Sequence, residues 1–308
     1  MEPLRVGVVG VGYLGRFHAE QYARLPEAQL IGLVDIDESR CRALAELTAC
    51  EPLGHHHDLI GKVDAVSIAV PTVQHYQVAR DFLDAGIHVL VEKPIAASLQ
   101  EAQALNTMAR DNGLIFQVGH LERFNGALLA ARETIDNPLY IEARRMAPFT
   151  GRGVDVDVVL DLMIHDIDIM LMVVSSGISR MHAVGQSFYG DHHDVMYARI
   201  SFANGCVANL TANRIAQEKV RTTVMVQSDG YIELNYLAKT ANVTRRTARG
   251  EVTTWQEIHQ NDQLEVELRA FLACIREQSV PVVSGEDGER ALDVALRIVD
   301  AAHRSVRG

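Results

Sequence analysis

Three places in the chain carry side chains whose neighbours could make chemistry of them. Lys93 lies in Glu92-Lys93-Pro94, at the end of an apolar run. Asp161 and His165 stand four residues apart in a segment otherwise made of Val, Leu, Ile and Met, so on a helix they share a face, and Asp168 continues the stripe. Near the start, Gly10-Val11-Gly12-Tyr13-Leu14-Gly15 has the spacing of a loop that lets a backbone approach a pyrophosphate. Oxidising a secondary alcohol needs an acceptor for a proton and another for a hydride. A neutral imidazole takes a hydroxyl proton near neutral pH, and a carboxylate beside it orients the ring or stabilises its charged form. A lysine cation next to the reacting oxygen stabilises developing alkoxide character. Together the three places describe hydride transfer from an alcohol to a dinucleotide. The preferred assignment makes His165 the base and Lys93 the polarising cation; a deprotonated Lys93 acting as base is the alternative. A solvated stripe is disfavoured, because carboxylates in a helix built for burial need partners. No metal is expected: there is no HExxH pattern and no convincing third ligand.

The glycine loop follows a strand-like run and opens a helix. Asp35 falls 20 residues past Gly15, at the end of the next strand. A carboxylate there accepts hydrogen bonds from ribose hydroxyls and repels a 2′-phosphate, so NAD is expected over NADP; Arg40, on the following helix, argues the other way. Ligands of such sheets bind outside the carboxyl ends of the strands. Gly10, Gly12, Tyr13, Leu14, Gly15, Asp35, Thr72, His75, Glu92, Lys93 and Pro94 should therefore border the cofactor. Pro71 and Pro94 cannot donate to a ladder and so end their strands.

These loops need a scaffold. Short β-branched runs alternate with helical segments as far as about Gly119, which predicts an open parallel sheet covered on both faces. A helix is expected over 121–134, a strand over 140–147 and a helix over 156–174. Seven extended runs separated by turn signals follow to Trp255, and two helices close the chain. The fold class expected is α/β: an N-terminal Rossmann domain (1–120) with a parallel sheet, and a C-terminal α/β domain (121–308) with a large, mainly antiparallel open sheet. An open sheet face must be buried against something, so a homodimer or homotetramer is expected.

The 308 residues exceed what one core usually serves. A net charge of −11 argues against nucleic-acid or acidic-membrane partners. Four cysteines without metal spacing, no signal peptide after Met1-Glu2-Pro3 and no membrane-length apolar run point to a reducing cytoplasm. His55-His56-His57 is expected to be structural or solvated. Asp191-His192-His193-Asp194 is mainly expected to be structural, with the pocket rim as the lesser reading. Arg144, Arg145 and Arg152 form a sequence cluster whose guanidinium forks suit phosphate, although solvated charge serves equally as an account.

The glycine loop, Glu92-Lys93-Pro94, Arg123-Phe124-Asn125, Asp161-x-x-x-His165 and the near-terminal stretch from Pro281 to Gly288 jointly resemble the glucose-fructose oxidoreductase / inositol dehydrogenase / rhizopine-catabolism (Gfo/Idh/MocA) family along essentially the whole chain. The resemblance implies that Lys93, Asp161 and His165 meet in one pocket. It adds Arg123 to the cofactor and substrate contacts, and Asn125, Arg144 and Arg152 to the substrate contacts. Gly119 to Asn125, and Pro148 to Asp168, are similar to the nucleotide-sugar branch, which oxidises UDP-N-acetylglucosamine to a 3-keto sugar; a diphosphate would give the arginines a partner. Gly126 stands where many members have proline, and Leu162-Met163-Ile164 fills a stretch where many have glycine. A free-sugar or inositol dehydrogenase is the alternative within the class, and a non-catalytic dinucleotide or sugar sensor the alternative outside it.

Overall fold

The computed structural model describes residues 2–149, 151, 156–247 and 249–305. The chain runs through β1 (Leu4–Val9), α1 (Tyr13–Tyr22), β2 (Ala28–Val34), α2 (Glu38–Thr48), β3 (Glu51–Leu53), β4 (Ala65–Ile68), α3 (Thr72–Asp84), β5 (His88–Glu92), α4 (Leu99–Asp111) and β6 (Phe116–Gly119). Then come α5 (Gly126–Ala131), β7 (Tyr140–Met146), and a π-helical turn (Val159–Met163) that runs into α6 (Ile164–Val173). The later strands are β8 (Ile178–Gln186), β9 (Val195–Phe202), β10 (Val207–Asn213), β11 (Val220–Val226), β12 (Gly230–Asn235), β13 (Thr240–Arg246) and β14 (Val252–Ile258). Two helices, α7 (Gln263–Glu277) and α8 (Gly285–Ser305), follow.

Two compact units emerge: Met1–Leu121 with Asp262–Glu289, and Glu122–Asn261 with Arg290–Gly308. The contiguous second domain expected over 121–308 is thus corrected, because 262–289 returns to the first unit. The reason lies on α7, where Leu268, Phe271, Leu272 and Ile275 recur at helical spacing and are buried with Val6, Val8, Leu30 and Leu33. Burying each such side chain contributes about 1.5–3 kcal/mol. At its start, Asp262 caps α7 by accepting from the amides of Leu264 and Glu265.

The first unit holds a six-stranded sheet of order β3-β2-β1-β4-β5-β6, parallel throughout. The strand order reverses between β1 and β4, and that is the point at which such sheets bind ligands. β4, β5 and β6 are buried almost without interruption, as strands covered on both faces must be. α4 starts with a capping box in which Ser98 and Glu101 satisfy each other's amides.

The second unit holds an eight-stranded sheet of order β14-β13-β12-β11-β7-β10-β9-β8, antiparallel except for the β7/β10 pair. Its strands alternate buried and exposed residues. The buried face packs on α5, α6 and the later part of α8, with Ile141, Ala143, Ile167, Met170, Val294 and Ile298 in one core. The other face carries Val184, Tyr197 and Tyr231 exposed. The helix expected over 121–134 is broken into a 3-10 turn (Leu121–Phe124), α5 and a second 3-10 turn (Arg132–Thr134). Asn125 restarts the helix by capping α5, and a Cβ at Gly126 would meet the His259 carbonyl oxygen.

Candidate active site

At the carboxyl edge of the first sheet, each glycine of the loop has a distinct duty. Gly10 has φ +85°, and a Cβ there would stand 2.6 Å from the Ala69 carbonyl oxygen. At Gly15 a Cβ would collide with the Gly10 carbonyl, so this position lets α1 sit close to β1. A Cβ on Gly12 would meet only Arg40, at 3.8 Å, so the loop is open at the point where a pyrophosphate would approach. α1 begins at Tyr13 with no side-chain cap from Gly12, so the positive end of its dipole faces the glycine loop. Tyr13 and Leu14 are exposed on that first turn.

Asp35 is fixed from two sides. Its Oδ2 accepts the Val11 amide at 2.7 Å and its Oδ1 the Asp37 amide at 2.8 Å. The carboxylate thus ties the end of β2 to the glycine loop while keeping acceptor capacity for a ribose. Arg40 reaches to 4.0 Å from Asp35 but donates to Asp37 at 2.8 Å. These residues fit a dinucleotide on geometry alone.

The loops after β4 and β5 are clamped to each other. His75, buried on α3, places Nδ1 2.8 Å from the Pro94 carbonyl and Nε2 2.9 Å from the Val70 carbonyl. Burial pushes its pKa down against the pull of those carbonyls. A neutral ring has one N–H, so it donates to one of these carbonyls while its other nitrogen packs against the second, a placement between the two loops that was not legible in the sequence. Thr72 opens α3 beside it, half-buried. The Lys93–Pro94 peptide is cis. Lys93 is itself partly exposed, and its backbone amide donates to Glu92 Oε2 at 3.3 Å.

Behind Lys93, the expected Glu92 is buried with two residues that sequence reasoning missed, His18 and Glu267. Glu92 Oε1 meets His18 Nε2 at 3.1 Å. Burial alone would raise the Glu92 carboxyl, but the His18 hydrogen bond and the nearby positive charge of Lys93 outweigh it and hold the pKa below its ordinary value. Glu267, from α7, is fully buried, and neither of its oxygens has a hydrogen-bond partner among the described residues. Burial first, and the Glu92 charge second, push the Glu267 carboxyl well above the usual range. One acid is therefore pushed towards its ionised form and its neighbour towards its neutral form. A Glu inside the apolar stripe of α7 was the available signal.

In the second unit, Asp161 lies in the π turn and His165 in the first turn of α6; both are partly exposed. A π turn holds roughly one residue more per turn than an α-helix and recurs at functional sites. Asp157 anchors its start, accepting the Val159 amide at 3.0 Å and facing His193 Nδ1 at 2.6 Å. His193 and Asp194 of the 191–194 stretch are both buried and structural, Asp194 holding Arg214 at 2.6 Å and the amides of Phe188 and Tyr189.

Asp168 does not continue the Asp161/His165 stripe. It is buried and grips Arg123 through two bonds, Nε to Oδ2 at 2.7 Å and Nη2 to Oδ1 at 2.6 Å. Two residues earlier, Asp166 grips Arg145 in the same way at 3.0 and 2.8 Å. Arg145 also donates to Glu122 at 2.8 Å, and Arg221 approaches the same Glu122 oxygen at 3.3 Å. Two cations and two anions close a buried neutral cluster. Burial works against the Arg145 charge, but Asp166 and Glu122 more than offset it and push the Arg145 pKa up.

The expected arginine cluster is corrected. Arg144 and Arg145 are neighbours on β7, so they point to opposite faces of the sheet. Arg145 faces α6 and is spent on Asp166, whereas Arg144 is exposed on the other face, near Met146. Arg152 lies outside the described residues. Asn125, expected to contact substrate, is buried. Its Nδ2 donates to Glu122 and to the Tyr236 carbonyl while its Oδ1 caps α5, so its amide builds the loop.

A parallel sheet with an anion-ready loop at its switch point, joined to a second unit carrying an Asp/His pair, is the plan of a two-domain dinucleotide-dependent oxidoreductase. Residues 4–120 match the oxidoreductase family with an NAD-binding Rossmann fold, GFO_IDH_MocA, and residues 126–233 match the GFO/IDH/MocA C-terminal domain. The chain belongs to the Gfo/Idh/MocA oxidoreductase family.

It is 35% identical over 305 residues to UDP-N-acetylglucosamine 3-dehydrogenase of Acidithiobacillus ferrooxidans, covering 96% of each chain. The solved structure of that enzyme superposes with a TM-score of 0.92 and 98% of each chain covered. An NAD(+)-dependent scyllo-inositol 2-dehydrogenase of Bacillus subtilis is 26% identical, with 95% of this chain and 92% of its own covered. Levoglucosan dehydrogenase in complex with NADH and levoglucosan has the same fold, with a TM-score of 0.89 at 20% identity and 98% of each chain covered. Among the described residues, no helix is long and apolar enough to cross a membrane.

Proposed function

We propose that this protein oxidises a secondary hydroxyl of a nucleotide sugar, with UDP-N-acetylglucosamine the first candidate, its 3-hydroxyl the reacting group and NAD the hydride acceptor. The observation that carries this reading is the 35% identity to UDP-N-acetylglucosamine 3-dehydrogenase over 96% of each chain. NAD is favoured over NADP because Asp35 would face a 2′-phosphate while Arg40 is engaged by Asp37.

A nicotinamide dinucleotide bound at the glycine loop supplies the hydride acceptor. The chain does the rest. His165 takes the hydroxyl proton, Asp161 orients or stabilises the ring, and the Lys93 cation polarises the oxygen; the alternative has a deprotonated Lys93 as the base. Glu92, ionised and buried behind Lys93, holds the lysine loop against β6: a Cβ on Gly119 would stand 3.0 Å from its carboxylate. Arg123 is held by Asp168 and acts as a positioning residue. A cytoplasmic setting goes with this reading and with four free thiols. The exposed sheet face of the second unit, with Val184, Tyr197 and Tyr231, is the surface through which a homodimer would form.

The test is formation of reduced nicotinamide with NAD and, in turn, UDP-N-acetylglucosamine, UDP-glucose, glucose and myo-inositol. Turnover confined to UDP-N-acetylglucosamine supports the proposal. Turnover only with free sugars or inositol replaces it with the second reading, which the scyllo-inositol dehydrogenase relative favours. Tight NAD binding with no turnover of any of them favours a sensor.

A further inference from the structure

The turn between β3 and β4 carries three consecutive histidines that the oxidoreductase chemistry does not use. A 3-10 turn over His56–Leu59 folds their rings against one another, with centroids 4.3, 4.3 and 4.6 Å apart. Nitrogen atoms of His55, His56 and His57 able to bind a metal all lie within 4.8 Å of one another. The sequence shows this much as a bare triplet. The structure adds a fourth group from another element: Asp81, on α3, places Oδ2 3.0 Å from Nε2 of His56 and 3.0 Å from Nε2 of His57.

One carboxylate oxygen shared by two imidazole nitrogens is compatible with plain hydrogen bonding. It is also close to one edge of a coordination polyhedron. Metal–nitrogen and metal–oxygen bonds of about 2.0–2.2 Å at a tetrahedral angle separate two ligand atoms by roughly 3.3–3.5 Å. The two Asp81 contacts need to open by only a few tenths of an ångström, while the histidine nitrogens, within 4.8 Å of one another, must draw together by about 1 Å to hold an ion. His55 accepts the His57 amide through Nδ1 at 3.2 Å, which fixes its ring and leaves Nε2 as its outward donor. Asp81 is oriented from its far side: Gln77 donates to both oxygens at 2.9 and 3.0 Å, and Arg80 donates to Oδ1 at 3.0 Å. Such outer contacts hold a ligating carboxylate in place.

A metal would take the place of the ring protons now shared with Asp81, because it binds an imidazole nitrogen that carries no proton together with a charged carboxylate, so binding would release protons. His55 and His57 are exposed, so an ion has an entry path. Imidazole with carboxylate selects zinc, cobalt or nickel over magnesium or calcium.

We propose that His55, His56, His57 and Asp81 form a site for a borderline divalent transition-metal ion, Zn2+ being the natural occupant, which staples the β3–β4 turn to α3. Asp81 lies nine residues past Thr72, about 14 Å along the helix from the end that faces the cofactor loop, so the ion is structural.

The experiment uses full-length protein without a histidine tag, stripped with a chelator and titrated with Zn2+ by calorimetry and with Co2+ by visible absorption. The expected result is one ion per chain, a Kd in the micromolar range or tighter, Co2+ bands of a low-coordinate site, and a thermal transition raised by Zn2+. His57→Ala, at an exposed position, and Asp81→Asn should each weaken binding at least about tenfold, and a control at exposed His259→Ala should not. Millimolar binding, or affinity unchanged in both site variants, overturns the proposal and leaves ordinary surface histidines.

Discussion

Replacing Asp168 alone should damage the protein more than replacing Asp168 and Arg123 together. The two side chains are 1% and 7% exposed, joined by parallel bonds of 2.6 and 2.7 Å. Asp168→Asn keeps the shape and removes the charge. It also turns one acceptor into a donor facing a guanidinium N–H. Breaking a buried pair in this way costs about 3–5 kcal/mol, most of it the penalty of leaving the partner's charge without compensation. For a unit of this size each kcal/mol moves the transition by about 2–4 °C, so the second unit should melt roughly 6–20 °C lower. Arg123→Met with Asp168→Leu replaces the pair by apolar groups of similar bulk and should recover most of that loss. Trp255, the only tryptophan, packs against the core of the second unit and reports its unfolding by fluorescence. NAD binding, measured at a temperature where all variants are folded, should survive in Asp168→Asn. An Asp168→Asn transition within a degree or two of the parent, or a double variant that loses the sum of the two single losses, would refute the coupling.

Lys93→Ala and His165→Ala should each lower kcat by a factor of about 10^2–10^4 while keeping NAD affinity within a few-fold, read by turnover and by fluorescence titration; unchanged turnover in both would remove them from the chemistry. Asp35→Ser should raise the KM for NAD about tenfold or more and improve use of NADP, since Arg40 would then face a 2′-phosphate without an opposing carboxylate; an unchanged NAD-to-NADP ratio would contradict the ribose role of Asp35. Glu267 bears on pH. Its folded pKa is raised, so its stabilising contribution is complete below the unfolded value and is lost as pH climbs through the folded one. Glu267→Gln should therefore gain on the parent as pH rises from about 5 to 8, by at most about 1.4 kcal/mol per unit in urea unfolding, and a flat difference would show that the carboxyl is not held neutral.

The first sheet was readable because buried parallel strands are continuous apolar runs, and the glycine loop because its spacing is dictated by backbone clearance. β3 escaped notice since Glu51-Pro52-Leu53 has neither an apolar run nor alternation. The π turn escaped because one extra residue in a turn leaves no mark in an apolar segment. Helical periodicity placed Asp161, His165 and Asp168 on one stripe, yet what decides the role of Asp168 is Arg123, 45 residues away, and periodicity does not contain that. Arg144 and Arg145 are the opposite case: the alternation of a strand already separated them, and reading them as one cluster overlooked it. The return of α7 to the first unit was hidden because an amphipathic helix shows that it has a buried face and not which core that face joins.

That return has a consequence for synthesis. The ribosome delivers the glycine loop, β1 and the rest of the first sheet early, but the helix that covers part of their core arrives only with residues 262–289. At about 5–20 residues per second, the interval is roughly 8–30 s. Throughout it the nascent chain carries a cofactor unit with an uncovered apolar flank, while most of the later unit is already out. A fragment ending near residue 120 should inherit the same flank permanently, so the dinucleotide-binding half of this protein is not a piece that can be cut free and kept in solution.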